Sequence, residues 1–347
     1  KKLKVMIKNF SSNNIKKDKK ILFSFINAEL KETKTKCNIY QGNFYLDSFT
    51  YFLINEDFKS FDNLYVRDKN LNFEHFFSKV FFNNFKKKLD NFKEFKNIFV
   101  LGSNAGNNYY SNLLQFLPRI FFIKEKNIRI AIHRNSSLKL REFIKNVLNE
   151  KSIKCSFVYL DDGFYKFKNC SMPQFFSLTQ SIKILKKVIK VKNFKSPDTK
   201  IYVSRASASY RKIINEADIL PILRSKGYKV INPELYTIDE QIRIFSQADK
   251  IISPHGSNLS NIIFCKPGTE ILEILPTLNK KSDSLFEDKF RNIARINKLN
   301  YHRIISDSVN IDNHSEVTKM YIQNKTLYES NYYKNLIVKV SDIKNLI

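Results

Sequence analysis

Arg205, Arg211, His255, Gly256 and Glu273 are the residues whose types and spacing best suit chemistry. Arg205 directly follows the apolar run Lys200–Ser204, which reads as a β-strand, so it sits at a carboxyl strand end. Arg211 and Asn215 follow six and ten residues later, at the start of a predicted helix over Asn215–Lys226. Two guanidiniums near a helix N-terminus suit a diphosphate, which an arginine fork binds bidentately. The plainer reading is a surface ion pair with Glu216 or Asp218. A second strand, Ile251–Ser253, runs into Pro254-His255-Gly256-Ser257-Asn258-Leu259-Ser260-Asn261 and a short predicted helix, Ser257–Cys265. Strand, tight turn and helix aim backbone N–H groups and a helix dipole at an anion. The carboxyl ends of parallel strands are also where ligands bind in open α/β sheets. A plain strand–helix turn with a structural His255 fits that stretch equally well. Glu273, on the predicted strand Glu270–Leu275, could accept from a ribose or sugar hydroxyl, or be an ordinary paired carboxylate. Convergence on one sheet edge favours the anion site. The chain has only 7 glycines, so each is expected to answer a backbone need.

The elements that must position these residues alternate. In the first half, Ile98–Leu101 reads as a strand, Gly102–Asn107 as a loop and Asn108–Lys124 as a helix interrupted at Pro118. Ile128–Ile132 and Cys155–Leu160 are strands flanking a helix over Ser136–Asn149, with Leu140, Ile144, Val147 and Leu148 on one face. Ser181–Val191 is a basic amphipathic helix, and Lys192–Thr199 a linker. The second half adds strands at Tyr228–Ile231 and Tyr301–Ile305. It also adds a helix opened by the capping box Thr237-Ile238-Asp239-Glu240, a helix at Leu285–Leu299, and a final strand and helix in Leu336–Ile347. Strands alternating with helices imply parallel βαβ units. Short apolar bursts at Ile21–Ile26, Asn43–Leu46 and Asn63–Val66 suggest strands, and Phe76–Phe95 one or two helices, but residues 1–95 carry no motif.

Composition narrows the class. The 347 residues carry a formal charge of +27, with 43% hydrophobic and 14% aromatic residues. That excludes a disordered tail, a collagen or a small disulfide scaffold. The length suits two domains, each able to bury a core. Cys37, Cys155, Cys170 and Cys265 have no CxxC spacing, so they read as reduced thiols in a cytosolic protein rather than a disulfide or zinc framework. Phe116–Ile123 is too short for a membrane span and contains Pro118 and Arg119. No stretch reads as a cleavable leader, and the sequence begins at Lys1, which leaves room for an upstream piece. Ile201–Pro276 holds nine basic and eight acidic side chains, so the charge excess lies elsewhere, in stretches such as Lys1–Lys20 and Lys183–Lys200. With a bias toward Asn, Ile and Phe, that pattern fits AT-rich coding drift and solvated faces better than a nucleic-acid surface. A basic surface could still rest on anionic lipid.

The ordered set Ile201-Tyr202-Val203-Ser204-Arg205, Arg211, Asn215-Glu216, Gly227, Glu234, Gln241, Phe245, Ala248-Asp249, His255-Gly256, Leu259, Asn261, Phe264, Gly268 and Glu273 resembles glycosyltransferase family sixty-one. The likeness is dense from Lys200 to Pro276. A second stretch, Asn108-Tyr109-Tyr110-Ser111-Asn112-Leu113-Leu114-Gln115-Phe116-Leu117-Pro118-Arg119, resembles a family segment that usually reads Asn-Tyr-Tyr-His-Trp, then an acidic residue and Leu-Pro-Arg. Here Ser111 replaces the usual His, Asn112 the usual Trp and Gln115 the usual acid.

This resemblance implies an α/β GT-B architecture of two Rossmann-like domains facing across a cleft: residues 1–190 on the acceptor side and 191–347 binding a nucleotide-sugar donor. The final helix could return to the first domain. It implies an inverting transfer to a glycan acceptor without bound metal or other cofactor, from a UDP-sugar, in cell-surface polysaccharide synthesis. The donor residues would be Arg205, Arg211, Asn215, Glu216, His255, Gly256, Ser257, Asn258, Asn261 and Glu273. Asn108, Tyr109, Ser111, Gln115 and Arg119 would lie on the acceptor side. Inversion needs a base for the acceptor hydroxyl and support for the leaving diphosphate. With Ser111 and Gln115 at the usual ionisable positions, the base candidates are Asp161, Asp162 and His133, which follow predicted first-half strands. The two carboxylates are preferred, although Asp161-Asp162-Gly163 also reads as a turn and His133 as a cap. The expected location is cytoplasmic, with peripheral contact to anionic membrane and no nucleic-acid partner. The competing classes are another GT-B nucleotide-sugar enzyme, such as an epimerase, and a non-catalytic binding protein, either a transferase that has lost its base or a basic nucleic-acid module.

Overall fold

The computed structural model describes residues 24–26, 31–32, 38–48, 51–55, 59–61, 92–102, 108–189, 191, 199–279, 287–309 and 330–347. The Lys-rich start, the Asn63–Val66 burst, most of Phe76–Phe95, loop residues 103–107, the linker at 192–198, Cys37 and the stretch 310–329 lie outside them. The chain is mixed α/β and divides into two compact units. One comprises Lys1–Asn107, Gln115–Ser136 and Ile144–Phe176, and the other Asn108–Leu114, Ser137–Phe143 and Ser177–Ile347.

In the first unit the described strands are β1 (Ser24–Ile26), β2 (Lys31–Glu32), β3 (Asn38–Asp47), β4 (Phe52–Asn55), β5 (Lys59–Phe61), β6 (Lys93–Lys96), β7 (Phe99–Val100), β8 (Asn127–His133), β9 (Lys154–Leu160) and β10 (Phe164–Pro173). They form one sheet in the order β1-β5-β4-β3-β10-β7-β8-β9, with β2 on β3 and β6 on β10. β7, β8 and β9 pair in parallel, as expected of βαβ units. The other half departs from that expectation, because β10 runs antiparallel to β3, and β3 antiparallel to β4. β10 was not legible in the sequence. Its outer positions are Lys166, Lys168 and Asn169, and a register shift between Phe167 and Cys170 breaks the alternation. Phe167, Cys170 and Met172 nevertheless reach the core, with Phe44, Leu46, Leu53, Phe95, Val100 and Leu160. The helix between β8 and β9, Leu138–Asn149, buries the expected Leu140, Ile144, Val147 and Leu148.

The second unit has β11 (Thr199–Val203), β12 (Tyr228–Ile231), β13 (Ala248–Pro254), β14 (Glu270–Pro276), β15 (Asn300–Val309) and β16 (Asn335–Ile337), ordered β12-β11-β13-β14-β15-β16. Pairings are parallel up to β15, and β16 closes the edge antiparallel. The apolar runs of β11, β13 and β14 suit strands covered on both faces. The Ile238–Gln247 helix opens on the expected capping box, with Thr237 Oγ1 accepting from the Glu240 N–H at 3.2 Å. Such a cap stabilises a helix by ~1 kcal/mol. The basic helix spans Leu178–Val188 and starts ahead of its expected position, because Ser177 and Gln180 form a second capping box. Gly227 ends the Glu216–Ser225 helix with φ +82°, a conformation that favours glycine. The last helix, Val340–Lys344, buries Ile343 in the second core with Ile219, Leu223, Tyr228 and Leu336. Cys170 and Cys265 are buried free thiols, pushed up by burial, and Cys155 is a partly buried one. Among the described residues no helix is long and apolar enough to cross a membrane.

Candidate active site

β11 and β13 are parallel neighbours whose following strands lie on opposite sides, β12 beside β11 and β14 beside β13. A sheet that reverses its winding this way leaves a crevice outside the carboxyl ends of the two strands, the usual ligand position in such folds. Arg205 emerges there from β11, and His255-Gly256 from β13. The two stretches touch. A Cβ on Gly256 would lie 2.1 Å from Arg205 Nη1 and 2.9 Å from its Cζ. The backbone of Gly256 is extended, with φ −177°, which any residue adopts. Glycine is therefore required here for the room it leaves the guanidinium, not for a special conformation, which corrects the sequence expectation. Gly256→Ala should push the Arg205 fork aside without unfolding the chain, because the atom it meets is the far end of a flexible side chain. The expected result is an unchanged melting temperature with nucleotide-diphosphate affinity weakened by roughly 1.5–3 kcal/mol, the worth of a hydrogen bond to a charged group. Calorimetry showing wild-type affinity in that variant would disprove this role for Gly256.

Arg205 is half-buried. Its Nη2 donates to the Tyr210 carbonyl at 3.0 Å, while its Nε is buried without a partner. Arg211 is 3% exposed, and its guanidinium lies 4.6 Å from the Tyr210 ring centroid and 4.1 Å from that of Tyr332. Arg211 Nη1 donates to the Tyr332 carbonyl at 3.0 Å, and its Nε is also unpartnered. Burial pushes Arg205 down to about 10, and the charge of Arg211 adds to the shift. Among the described residues neither arginine has a carboxylate partner. Glu216, a candidate for that role, instead accepts from Tyr202 Oη at 2.7 Å and Ser204 Oγ at 3.1 Å. Two desolvated like charges disfavour one another, and an anion between them relieves the cost.

The other donor-side candidates are placed differently from one another. Asn215 clamps the chain end: its Nδ2 donates to the Val338 carbonyl at 2.8 Å, and its Oδ1 accepts from the Val338 N–H at 3.1 Å. His255 and Glu273 are buried and bonded to each other through Nδ1 and Oε1. The second Glu273 oxygen accepts from Tyr301 Oη, and His255 Nε2 faces Tyr332 Oη at 3.2 Å. Burial pushes His255 down to about 4 despite the carboxylate beside it, so the ring is neutral near pH 7. With both oxygens of Glu273 engaged inside the core, the sugar-hydroxyl role expected for it is not supported. The pair instead holds the β13 and β14 ends together and braces Tyr332. Ser257 and Asn258 are half-exposed at the start of Ser257–Phe264, a 3₁₀ segment rather than the expected α-helix.

Asn261 is fully buried. Its Nδ2 donates to Gln241 Oε1 at 3.0 Å, and its Oδ1 accepts from Tyr109 Oη at 2.7 Å. Two stretches far apart in sequence, one assigned to the acceptor side and one to the donor side, thus meet in the same unit. Asn108 caps the Tyr109–Ser111 turn by accepting from the Ser111 N–H at 3.1 Å. Ser111 is buried and Gln115 half-buried, and a π-helical turn, Asn112–Phe116, interrupts the expected helix between them. Arg119 faces the core, not an acceptor. It is 0% exposed, donates to the carbonyls of Gly102 at 2.8 Å and Pro173 at 2.8 Å, and stacks 4.0 Å from the Phe175 ring centroid.

In the first unit, β8 and β9 end in register, His133 opposite Leu160, so their carboxyl ends gather His133, Arg134, Asp161 and Asp162. Arg134 grips Asp161 with Nε and, at 3.1 Å, Nη2, which holds that carboxyl below the usual range. His133 Nδ1 accepts from the Asn135 N–H at 3.1 Å, so its proton is on Nε2, which meets Asp162 Oδ1 at 2.9 Å. Both nitrogens of His133 are engaged. The second oxygen of Asp162 has no partner among the described residues. Gly163 has φ +153° and its N–H reaches Ser48 Oγ at 3.1 Å, so the turn reading of this stretch also holds.

A family model described as Glycosyltransferase 61 matches residues 42–272, more than half of the chain. The chain belongs to glycosyltransferase family 61. It is a transferase that acts on a donor sugar and an acceptor. No curated protein matches this transferase. The matched stretch runs from within β3 to within β14, and covers Arg205, Arg211, Gly256 and the Asp161-Asp162 turn. Tyr301 and Tyr332, which bond to Glu273 and His255, lie beyond it. Nothing local in the sequence marks either tyrosine. Only the pairing of β14 with β15 and the return of the C-terminal segment bring them in.

Proposed function

We propose that this transferase moves a sugar from a nucleotide-diphosphate sugar to a glycan hydroxyl with inversion, in cell-surface polysaccharide synthesis. The observation that carries the reading is the Arg205–Arg211 pair, desolvated and without a carboxylate partner among the described residues, with Arg205 packed on Gly256 at the β11/β13 crevice. A diphosphate leaving group develops charge as the glycosidic bond breaks, and preorganised donors aimed at it lower the barrier. Arg205 would contact the diphosphate, while Arg211, fixed between two tyrosine rings, would supply charge from behind. Asp162 would take the acceptor proton. Asp161 is the weaker base because Arg134 bonds both its oxygens and lowers its affinity for a proton, and His133 has no free ring nitrogen. In this reading His133 positions Asp162 through its Nε2 proton.

The same proposal includes the GT-B arrangement, with the acceptor on the first unit and a UDP-sugar on the second, no metal or other cofactor in catalysis, a cytoplasmic location with peripheral contact to anionic lipid, and no nucleic-acid role. It is tested by incubating the chain with a panel of UDP- and GDP-sugars, with and without EDTA, and measuring nucleoside diphosphate release. Release that persists in EDTA, with inverted product when an acceptor is supplied, is the expected result. Release abolished by EDTA would overturn the metal-independent part. Tight nucleotide binding without release from any donor would favour a chain that has lost its base.

A further inference from the structure

The segment Ser330–Ile337 lies beyond the family match, yet it runs against the arginine loop. The Arg211 N–H donates to the Lys334 carbonyl at 3.0 Å, the Leu336 N–H to the Lys212 carbonyl at 2.8 Å, and the Ile214 N–H to the Leu336 carbonyl at 2.9 Å. The Lys212 N–H donates to Asn335 Oδ1 at 3.0 Å. These bonds place Tyr332 over Arg211 and Tyr333 over Tyr210, whose ring centroids are 5.5 Å apart. Tyr332 and Tyr333 themselves meet edge-on at 5.1 Å. Tyr332 is buried and bonded to His255, and the Arg211 guanidinium lies against both its ring and that of Tyr210, while Tyr210 and Tyr333 are half-buried. The Tyr210 carbonyl holds Nη2 of Arg205, so the half-open ring pair adjoins the anion-binding fork.

We propose that Ser330–Ile337 completes the donor pocket, with Tyr333 and Tyr210 offering the flat face on which the nucleobase stacks while Arg205 holds the diphosphate. This rests on the donor-site reading above. A nucleoside diphosphate has an anionic end and a flat, weakly polar ring, and the site has the matching halves: a guanidinium fork without a carboxylate partner among the described residues, beside the half-buried rings of Tyr210 and Tyr333. Stacking tolerates any base because every base has a π-face. The base identity would then be read elsewhere, and the ring pair would supply affinity.

The test compares UDP, GDP and inorganic pyrophosphate by calorimetry on the full chain and on Tyr333→Ala, Tyr333→Phe and Arg205→Ala. Tyr333→Ala is expected to weaken the nucleoside diphosphates about ten-fold or more, the scale of base–aromatic stacking, and to leave pyrophosphate unchanged. Tyr333→Phe should keep both. If Tyr333→Ala weakens pyrophosphate and nucleoside diphosphates equally, the ring only braces the arginines and the proposal is overturned. No change for any ligand overturns it too, as does a parent chain that binds neither UDP nor GDP more tightly than pyrophosphate. Failure of the underlying donor-site reading shows separately, as pyrophosphate affinity that Arg205→Ala leaves untouched.

Discussion

Asp162→Asn is expected to lower turnover by ~10²–10⁴-fold, the usual worth of general-base catalysis, while leaving nucleotide affinity and melting temperature unchanged. An amide has nearly the shape of the carboxylate and can still accept from His133 Nε2, so the loss would be of basicity alone. Asp161→Asn should cost less, because Arg134 occupies both oxygens of the carboxylate it replaces and lowers their affinity for a proton. His133→Asn should fall between them, since it removes only the group that orients Asp162. Turnover and calorimetric affinity measured side by side on the three variants decide the matter. Full turnover in Asp162→Asn, or a larger loss in Asp161→Asn, would move the base elsewhere. Ser111 and Gln115 cannot take it up, as neither a hydroxyl nor an amide is an effective base at neutral pH.

The second large effect is expected at Arg205. Arg205→Ala should weaken nucleoside diphosphate binding by roughly 1.5–3 kcal/mol, the range for hydrogen bonds to charged groups. Arg205→Lys should recover little, because an ammonium has no planar fork. Arg211→Ala differs in kind. It removes a guanidinium that binds the Tyr332 carbonyl and stacks between two rings, so lost stability should accompany lost affinity. Unchanged affinity in Arg205→Ala, in a chain that melts normally, would remove the observation on which the donor assignment rests.

What was legible in the sequence was local or ordered along the chain. Apolar runs placed β8, β9, β11, β12, β13 and β14 within a few residues of their observed ends, because strand formation follows short apolar patterns. Thr237 and Glu240 announced a helix start, because capping is a contact three residues long. The ordered motif set identified the family that the match over residues 42–272 shows. Arg205 and Gly256 could be placed at strand ends, but nothing in the sequence showed that one fits against the other.

The tertiary structure decided the rest. Strand order puts β11 beside β13, and only that order makes their ends a crevice. It also buries His255 with Glu273 and sends Arg119 into the first core, so residue types that suit ligand contact serve packing instead. β10 escaped notice because its Lys and Asn positions and its register shift hide a strand whose other face is core. Tyr332 and Tyr333 reach the arginines only through the return of the C-terminal segment, more than a hundred residues after Arg211. The common reason is range. Propensity, periodicity and caps act over a few residues, whereas burial and charge compensation depend on which distant strands pair, and no local pattern in the chain records that.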